Sequence, residues 1–345
     1  MKHWKKLLSL TLVLALVLAL AGCGGTDTQD TGTEEQTQTE EQAEEPVTGE
    51  SYAIAALKGP TAMGLVKLMS EAESGADFIN DYTFTLAASA DEVSPLLMKG
   101  ELDMVCVPAN LAAVLYQKTE GDIVTLAVNT LGVLYIVENG NAVQSMADLK
   151  GKTIVASGKG STPEYALRYL LSENGLDPDT DVTIDWKSEH SECVSALATG
   201  AATIAMLPQP FVTVAQSKIE GLRVALDLTE QWDALDNGSA LLTGVIVARR
   251  EVVEANPAAV DAFLKDYAGS VEWVNANTAD AAELIGSYDI VEATVAEKAL
   301  PYCNIVCITG AEMKDKLSGY LQVLADADAS SVGGAMPGDD FYYGA

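Results

Sequence analysis

Residues 99–110 recur, without a gap, at 199–210. Lys99-Gly100-Glu101-Leu102-Asp103-Met104-Val105-Cys106-Val107-Pro108-Ala109-Asn110 aligns with Thr199-Gly200-Ala201-Ala202-Thr203-Ile204-Ala205-Met206-Leu207-Pro208-Gln209-Pro210, and the likeness runs on to Lys118 and Lys218. Each copy reads as the end of a helix, a closing glycine, a short apolar strand and a proline-marked loop into the next helix. Glycine ends a helix cheaply because it enters the left-handed region. Proline after an apolar run marks where a strand has stopped.

A second pairing lies upstream of each copy. The apolar strand Tyr52–Leu57 leads through Lys58-Gly59-Pro60-Thr61 into a helix over Ala62–Glu73, and Thr153–Ala156 leads through Gly158–Pro163 into a helix ending near Leu171. Thr61 and Thr162 suit N-cap positions, and Pro163 suits the first helical position. Strands alternating with helices predict α/β layers with parallel strands. The stretch from Ser51 to Ala345 also exceeds one typical domain. The expected fold class is therefore α/β, as two similar lobes with mixed sheets flanked by helices and a ligand cleft between them.

The last third holds no third copy. Asn256-Pro257 caps a long amphipathic helix with Val260, Phe263, Leu264, Tyr267, Val271 and Val274 on its apolar face. A second helix, from about Glu312 to Ala325, aligns Met313, Leu317, Leu321 and Leu324 on one stripe. Both are expected to return to the first lobe and cover it.

The start of the chain speaks to location. Lys2, Lys5 and Lys6 precede an apolar run from Leu7 to Ala21, and Gly22-Cys23 follows at once. A basic segment, a short apolar stretch and a small-residue cleavage site make a secretory signal. The run is shorter than the roughly 20 residues a spanning helix needs. Leu20-Ala21-Gly22-Cys23 also resembles the lipobox of bacterial lipoproteins, which implies a diacylglycerol on Cys23 and cleavage before it. Gly24–Glu50 carries nine Asp or Glu and neither Lys nor Arg nor an aromatic residue. Such a stretch cannot bury enough apolar surface to offset its ordering entropy, so a disordered tether is expected, reaching roughly 30 Å as a flexible coil.

Composition closes off several functions. Fifty acidic residues face twenty Lys and Arg, for a net charge of −30. Affinity for phosphate backbones comes from Lys and Arg, so no nucleic-acid partner is expected. Cys106, Cys193, Cys303 and Cys307 are spread too thinly for a disulfide scaffold. Pro301–Ile308 reads as a strand, and four extended residues hold Cys303 and Cys307 about 13 Å apart, beyond the roughly 7 Å a disulfide allows. Free, buried thiols are expected. His190 is the one histidine beyond the leader, and its polar surroundings, Ser188-Glu189-His190-Ser191-Glu192, predict a solvated loop residue. No metal site, cofactor or catalytic residue is expected, since no Walker loop, dinucleotide fingerprint or CxxC pair occurs.

In open α/β sheets, ligands bind beyond the carboxyl ends of strands. Four such ends carry distinctive loops: Gly59-Pro60-Thr61-Ala62-Met63, Pro108-Ala109-Asn110, Gly158–Thr162 and Pro208-Gln209-Pro210-Phe211. Facing lobes bring all four to one cleft. Helix-start amides with the hydroxyls of Thr61, Ser161 and Thr162 are donors for an anionic or carbonyl group, and Asn110 and Gln209 both donate and accept. Tyr165 and Phe211 supply a flat apolar wall. The expected ligand contacts are Gly59, Pro60, Thr61, Ala62, Met63, Asn110, Asn129, Gly160, Ser161, Thr162, Tyr165, Gln209 and Phe211.

The lipobox, the acidic tether, Lys58–Gly64, Val107–Asn110, Asn129-Thr130-Leu131-Gly132 and Leu207–Phe211 together resemble substrate-binding lipoproteins of ABC importers, in particular the nitrate/sulfonate/taurine and thiamine-precursor-like group. The resemblance covers Ser51 to the C-terminus. It implies a type II periplasmic-binding-protein fold, with crossovers near Asn129–Tyr135 and Gly238–Thr243. The organisation expected is a signal peptide over 1–22, lipidated Cys23 with the tether to 50, one lobe from 51–132 plus 240–345, and the other from 133–239. The implied function is capture of a small organic or anionic solute and delivery to the permease subunits, by a monomer anchored in membrane lipid through Cys23 on the extracytoplasmic face. Two alternatives stand beside it: an extracytoplasmic enzyme using His190 or Cys193, and a sensory module on the same bilobed fold.

Overall fold

The computed structural model describes residues 48–345, and its first strand is β1 (Ser51–Leu57); the leader, Cys23 and the tether through residue 47 lie outside the described residues. Ten further strands follow: β2 (Asp81–Ala87), β3 (Met104–Pro108), β4 (Ile123–Leu131), β5 (Leu134–Glu138), β6 (Thr153–Ser157), β7 (Thr183–Lys187), β8 (Ile204–Pro208), β9 (Arg223–Asp227), β10 (Leu242–Arg249) and β11 (Ile305–Ile308). They form two mixed sheets, ordered β11-β4-β10-β3-β1-β2 and β7-β6-β8-β5-β9.

The repeat at an offset of 100 is a repeat of structure. In the first sheet β1 lies parallel between β2 and β3, and in the second β6 lies parallel between β7 and β8. β3 and β8 fill corresponding places, and both are buried until their final proline, which is half-buried. Each sheet then receives a strand of opposite direction: β10 runs antiparallel to β3 and β4, and β5 runs antiparallel to β8 and β9. Those two strands follow the passages between sheets, at 132–133 and within 234–241. The first passage lies inside the expected crossover at 129–135, and the second overlaps the expected 238–243 only at 238–241.

Three apolar clusters hold the layers. One packs Phe263 and Tyr267 of the helix Pro257–Ala276, with Met63 and Leu68, on one face of the first sheet. A second packs Cys193, Val194 and Val212 on the second sheet. The third continues from Val105 and Val107 of β3 to Ile154 of β6 and Met206 of β8, so the two sheets share a core. The helix Gly310–Ala327 buries Met313, Leu317, Leu321 and Leu324 as its periodicity predicts, and adds Tyr320. Tyr320 lies 5.6 Å from Trp232, which lies 4.8 Å from Tyr169 of the helix Thr162–Glu173. This helix therefore braces elements of both sheets, whereas covering the first alone was expected.

The single helix expected over Ala62–Glu73 is two, Pro60–Met63 and Val66–Glu73. The break falls at Gly64, where a Cβ would lie 2.7 Å from the Tyr267 hydroxyl and 2.9 Å from Ile305. Ser270 Oγ donates to the Gly64 carbonyl at 2.6 Å and accepts from the Leu68 amide at 3.1 Å. Tertiary packing thus interrupts a locally continuous helical pattern. The caps also differ from expectation: Gly59 and Ser161 precede the helices, and the Thr61 hydroxyl donates to the Leu57 carbonyl at 3.0 Å.

Candidate functional site

A cavity of about 220 Å³ opens where the carboxyl ends of β1, β3, β6 and β8 meet. From the first sheet it takes Lys58, Gly59, Pro60 and Thr61 after β1, with Pro108 at the end of β3. The second contributes Gly158, Ser161, Thr162 and Pro163 after β6, and Pro208 to Phe211 after β8. Antiparallel pairing adds more wall. β10 pairs Gly244 with Pro108, and β5 pairs Leu134 with Pro208, so Thr243, Val133 and Leu134 arrive at the same rim.

The β6 loop is a tight backbone turn. Gly158 and Gly160 sit at φ +84° and +76°, where a side chain would be strained. Ser161 Oγ donates to the Gly158 carbonyl at 2.8 Å, and the Gly160 amide donates to Glu164 at 2.7 Å. On the β1 side Gly244 performs a packing task, because a Cβ there would lie 2.5 Å from both Asn129 Oδ1 and Thr61 Cγ2. Asn129 Nδ2 donates to the Thr61 carbonyl at 3.2 Å, and Thr130 Oγ1 donates to Asn129 Oδ1 at 3.0 Å. Asn129 is a buried pillar under the β1 loop.

Gln209 is 4% exposed. Its Oε1 accepts from Thr213 Oγ1 at 2.9 Å and from the Thr213 amide at 3.4 Å, which leaves Nε2 without a protein partner among the described residues. Thr243 Oγ1 is likewise buried without one. Lys58 Nζ is 2.8 Å from the exposed Asp289 carboxylate.

His190 overturns its solvated reading. It opens the helix His190–Ala198, lines the cavity, hydrogen-bonds through Nδ1 with the Ser157 hydroxyl, and packs 4.9 Å from Phe211 at 47° between ring planes. Burial disfavours its charged form and pushes its pKa down to about 4. Burial also pushes the Cys193 thiol up, so this pair lacks the thiolate that nucleophilic chemistry requires. Cys106 and Cys303 are pushed up to about 12 in the same way, and Cys307 to about 11. All four are free thiols, three of them buried and Cys307 half-buried.

Residues 79–299 match the family described as ABC transporter, phosphonate, periplasmic substrate-binding protein. The chain belongs to this family. It is a substrate-binding protein of the ABC-importer type and not an enzyme. Among the described residues no helix is long and apolar enough to cross a membrane. No curated protein matches the sequence.

Solved structures share the fold of this substrate-binding protein. An ABC transporter protein from Parabacteroides distasonis is 21% identical, with 85% of this chain and 98% of that one covered at a TM-score of 0.71. The periplasmic aliphatic sulphonate binding protein SsuA from Escherichia coli is 19% identical over 85% and 96%, at 0.68. The alkanesulfonate-binding protein SsuA from Xanthomonas axonopodis pv. citri, solved with MOPS, is 18% identical over 86% and 96%, at 0.61.

Within the substrate-binding protein, the cavity brings together Gly59, Pro60, Thr61, Ser161, Thr162, Gln209 and Phe211 of the expected contacts. Ala62 and Met63 lie in the core behind the β1 loop. Asn110 and Asn129 are buried behind the wall, and Gly160 shapes the β6 turn. Tyr165 faces a separate depression with Arg168 and Asp328. Sequence reasoning missed His190, Thr243 and Leu134. The antiparallel placement of β5 and β10 carries the last two, and no local signal announces it.

Proposed function

We propose that this substrate-binding protein captures a small organic or anionic solute between its two sheets and delivers it to the transmembrane subunits of an ABC permease. One observation carries the reading: loops from both sheets converge on one cavity, where Gln209 Nε2 has no protein partner among the described residues. A site shared by two bodies closes when a ligand contacts both. The bodies proposed are 51–132 with 240–345, and 133–239, hinged at the two passages. The contacts proposed are Gly59, Pro60, Thr61, Ser161, Thr162, Gln209 and Phe211. Asn110 and Asn129 support them from behind.

The processed protein is proposed to act as a monomer, held on the extracytoplasmic face by lipid on Cys23. Two or more acyl chains anchor stably where one does not. Two experiments test the reading. Mass spectrometry of the membrane-extracted protein should find diacylglycerol on Cys23, and Cys23→Ala should release the protein from the membrane. A thermal-shift screen of small solutes, followed by small-angle scattering, should find a ligand that stabilises and compacts the protein. Silence across a broad panel would remove solute capture.

A further inference from the structure

The family is described by phosphonate, a group that carries between one and two negative charges in neutral water and two at higher pH. Among the described residues one cation borders the cavity, Lys58, and its ammonium already meets Asp289 at 2.8 Å. The only other titratable lining group among the described residues is His190, a neutral ring at physiological pH. Among the described residues no arginine lines the wall. Transferring an ion from water costs several kcal/mol unless it is paired, and arginine forks are the usual partners of phosphoryl oxygens. A dianion would enter this cavity with one shared countercharge.

What the wall does offer suits a different head group. Gln209 Nε2 is a donor without a protein partner among the described residues, suited to one carbonyl or one singly charged group. The hydroxyls of Thr61, Ser161 and Thr162 already donate to Leu57, Gly158 and Asn110, and much of the remaining wall is apolar, with Leu57, Pro60, Leu134 and Pro208 beside the tilted rings of His190 and Phe211. Its volume of about 220 Å³ exceeds the roughly 150 Å³ of an engineered cavity that binds benzene. A ring with one polar substituent fits that space.

We infer that the cavity takes a compact solute with at most one negative charge and an apolar body about the size of a benzene ring, and turns away doubly charged phosphonates. The inference rests on the solute-capture reading and narrows its ligand. Calorimetry on the full processed chain tests it with three probes of one shape: benzamide, benzenesulfonate and phenylphosphonate. At about pH 8.5, with the second phosphoryl proton removed, benzamide or benzenesulfonate should bind at least about tenfold tighter than phenylphosphonate. Phenylphosphonate should gain affinity on lowering to about pH 6, as it returns to a monoanion. Asp289→Asn, which frees Lys58, should raise benzenesulfonate affinity relative to benzamide. Phenylphosphonate binding as tightly at high pH would overturn the charge limit and leave solute capture standing. No heat from any probe would overturn the ring-sized ligand. Solute capture itself falls only if the broad solute screen is also silent.

Discussion

The Thr162 hydroxyl donates to Asn110 Oδ1 at 3.4 Å, tying the loop after β6 to the loop after β3 across the two sheets. Asn110 Nδ2 donates in turn to the buried Ser331 carbonyl at 3.3 Å. One side chain thus couples both sheets to the C-terminal segment. Both residues read as ligand contacts in sequence, and here each spends a polar atom on the other.

Asn110→Ala should therefore destabilise the protein. It strips a partner from a buried carbonyl, which costs about 1–3 kcal/mol. Thr162→Val keeps the shape and loses one hydrogen bond, for about 0.5–1.5 kcal/mol. Urea unfolding of the two variants should show the larger midpoint shift for Asn110→Ala.

His190 sets a pH window. Its pKa is about 4 when folded, against about 6.5 when unfolded. The unfolded chain therefore binds the extra proton first. The neutral ring's contribution is fully present above about pH 6.5 and is lost as pH falls through 4, on the order of 3 kcal/mol in all. His190→Gln should flatten that segment of the stability curve and leave stability above it less dependent on pH than in wild type.

Gly64→Ala should lower stability by roughly 1–3 kcal/mol through overpacking, since the new methyl meets Tyr267 and Ile305. The urea midpoint should fall with an unchanged slope. Rates of unfolding should rise.

Gly244→Ala should damage binding as well. Its methyl presses on Asn129 and Thr61, the pillar and the tip of the β1 loop. Affinity for a solute found in the screen should drop at least about tenfold, a change of 1.4 kcal/mol. An unchanged affinity would remove Thr61 from the site.

The four body thiols should be inert while the protein is folded. Burial keeps Cys106, Cys193, Cys303 and Cys307 protonated, and the thiolate is the reactive form. A thiol-colouring reagent should react slowly in native buffer and rapidly in denaturant, with Cys307, the least buried, first.

The sequence by itself determined the repeated unit and its loops. Helix-ending glycines, apolar runs and strand-ending prolines are local properties, so β3 and β8 could be placed an interval of 100 apart, and the loops after β1, β6 and β8 could be read as binding positions. The amphipathic stripes on Pro257–Ala276 and Gly310–Ala327 were legible for the same reason. Tertiary structure alone decided what those residues face. It broke the helix at Gly64 against Tyr267, turned Asn129 from a contact into a pillar, and brought Thr243 to the rim on a strand that reverses direction. His190 shows the limit most clearly. Its sequence neighbours are polar, while its neighbours in space are Phe211 and Ser157. Burial of a side chain depends on residues far along the chain, and no short window of sequence contains them.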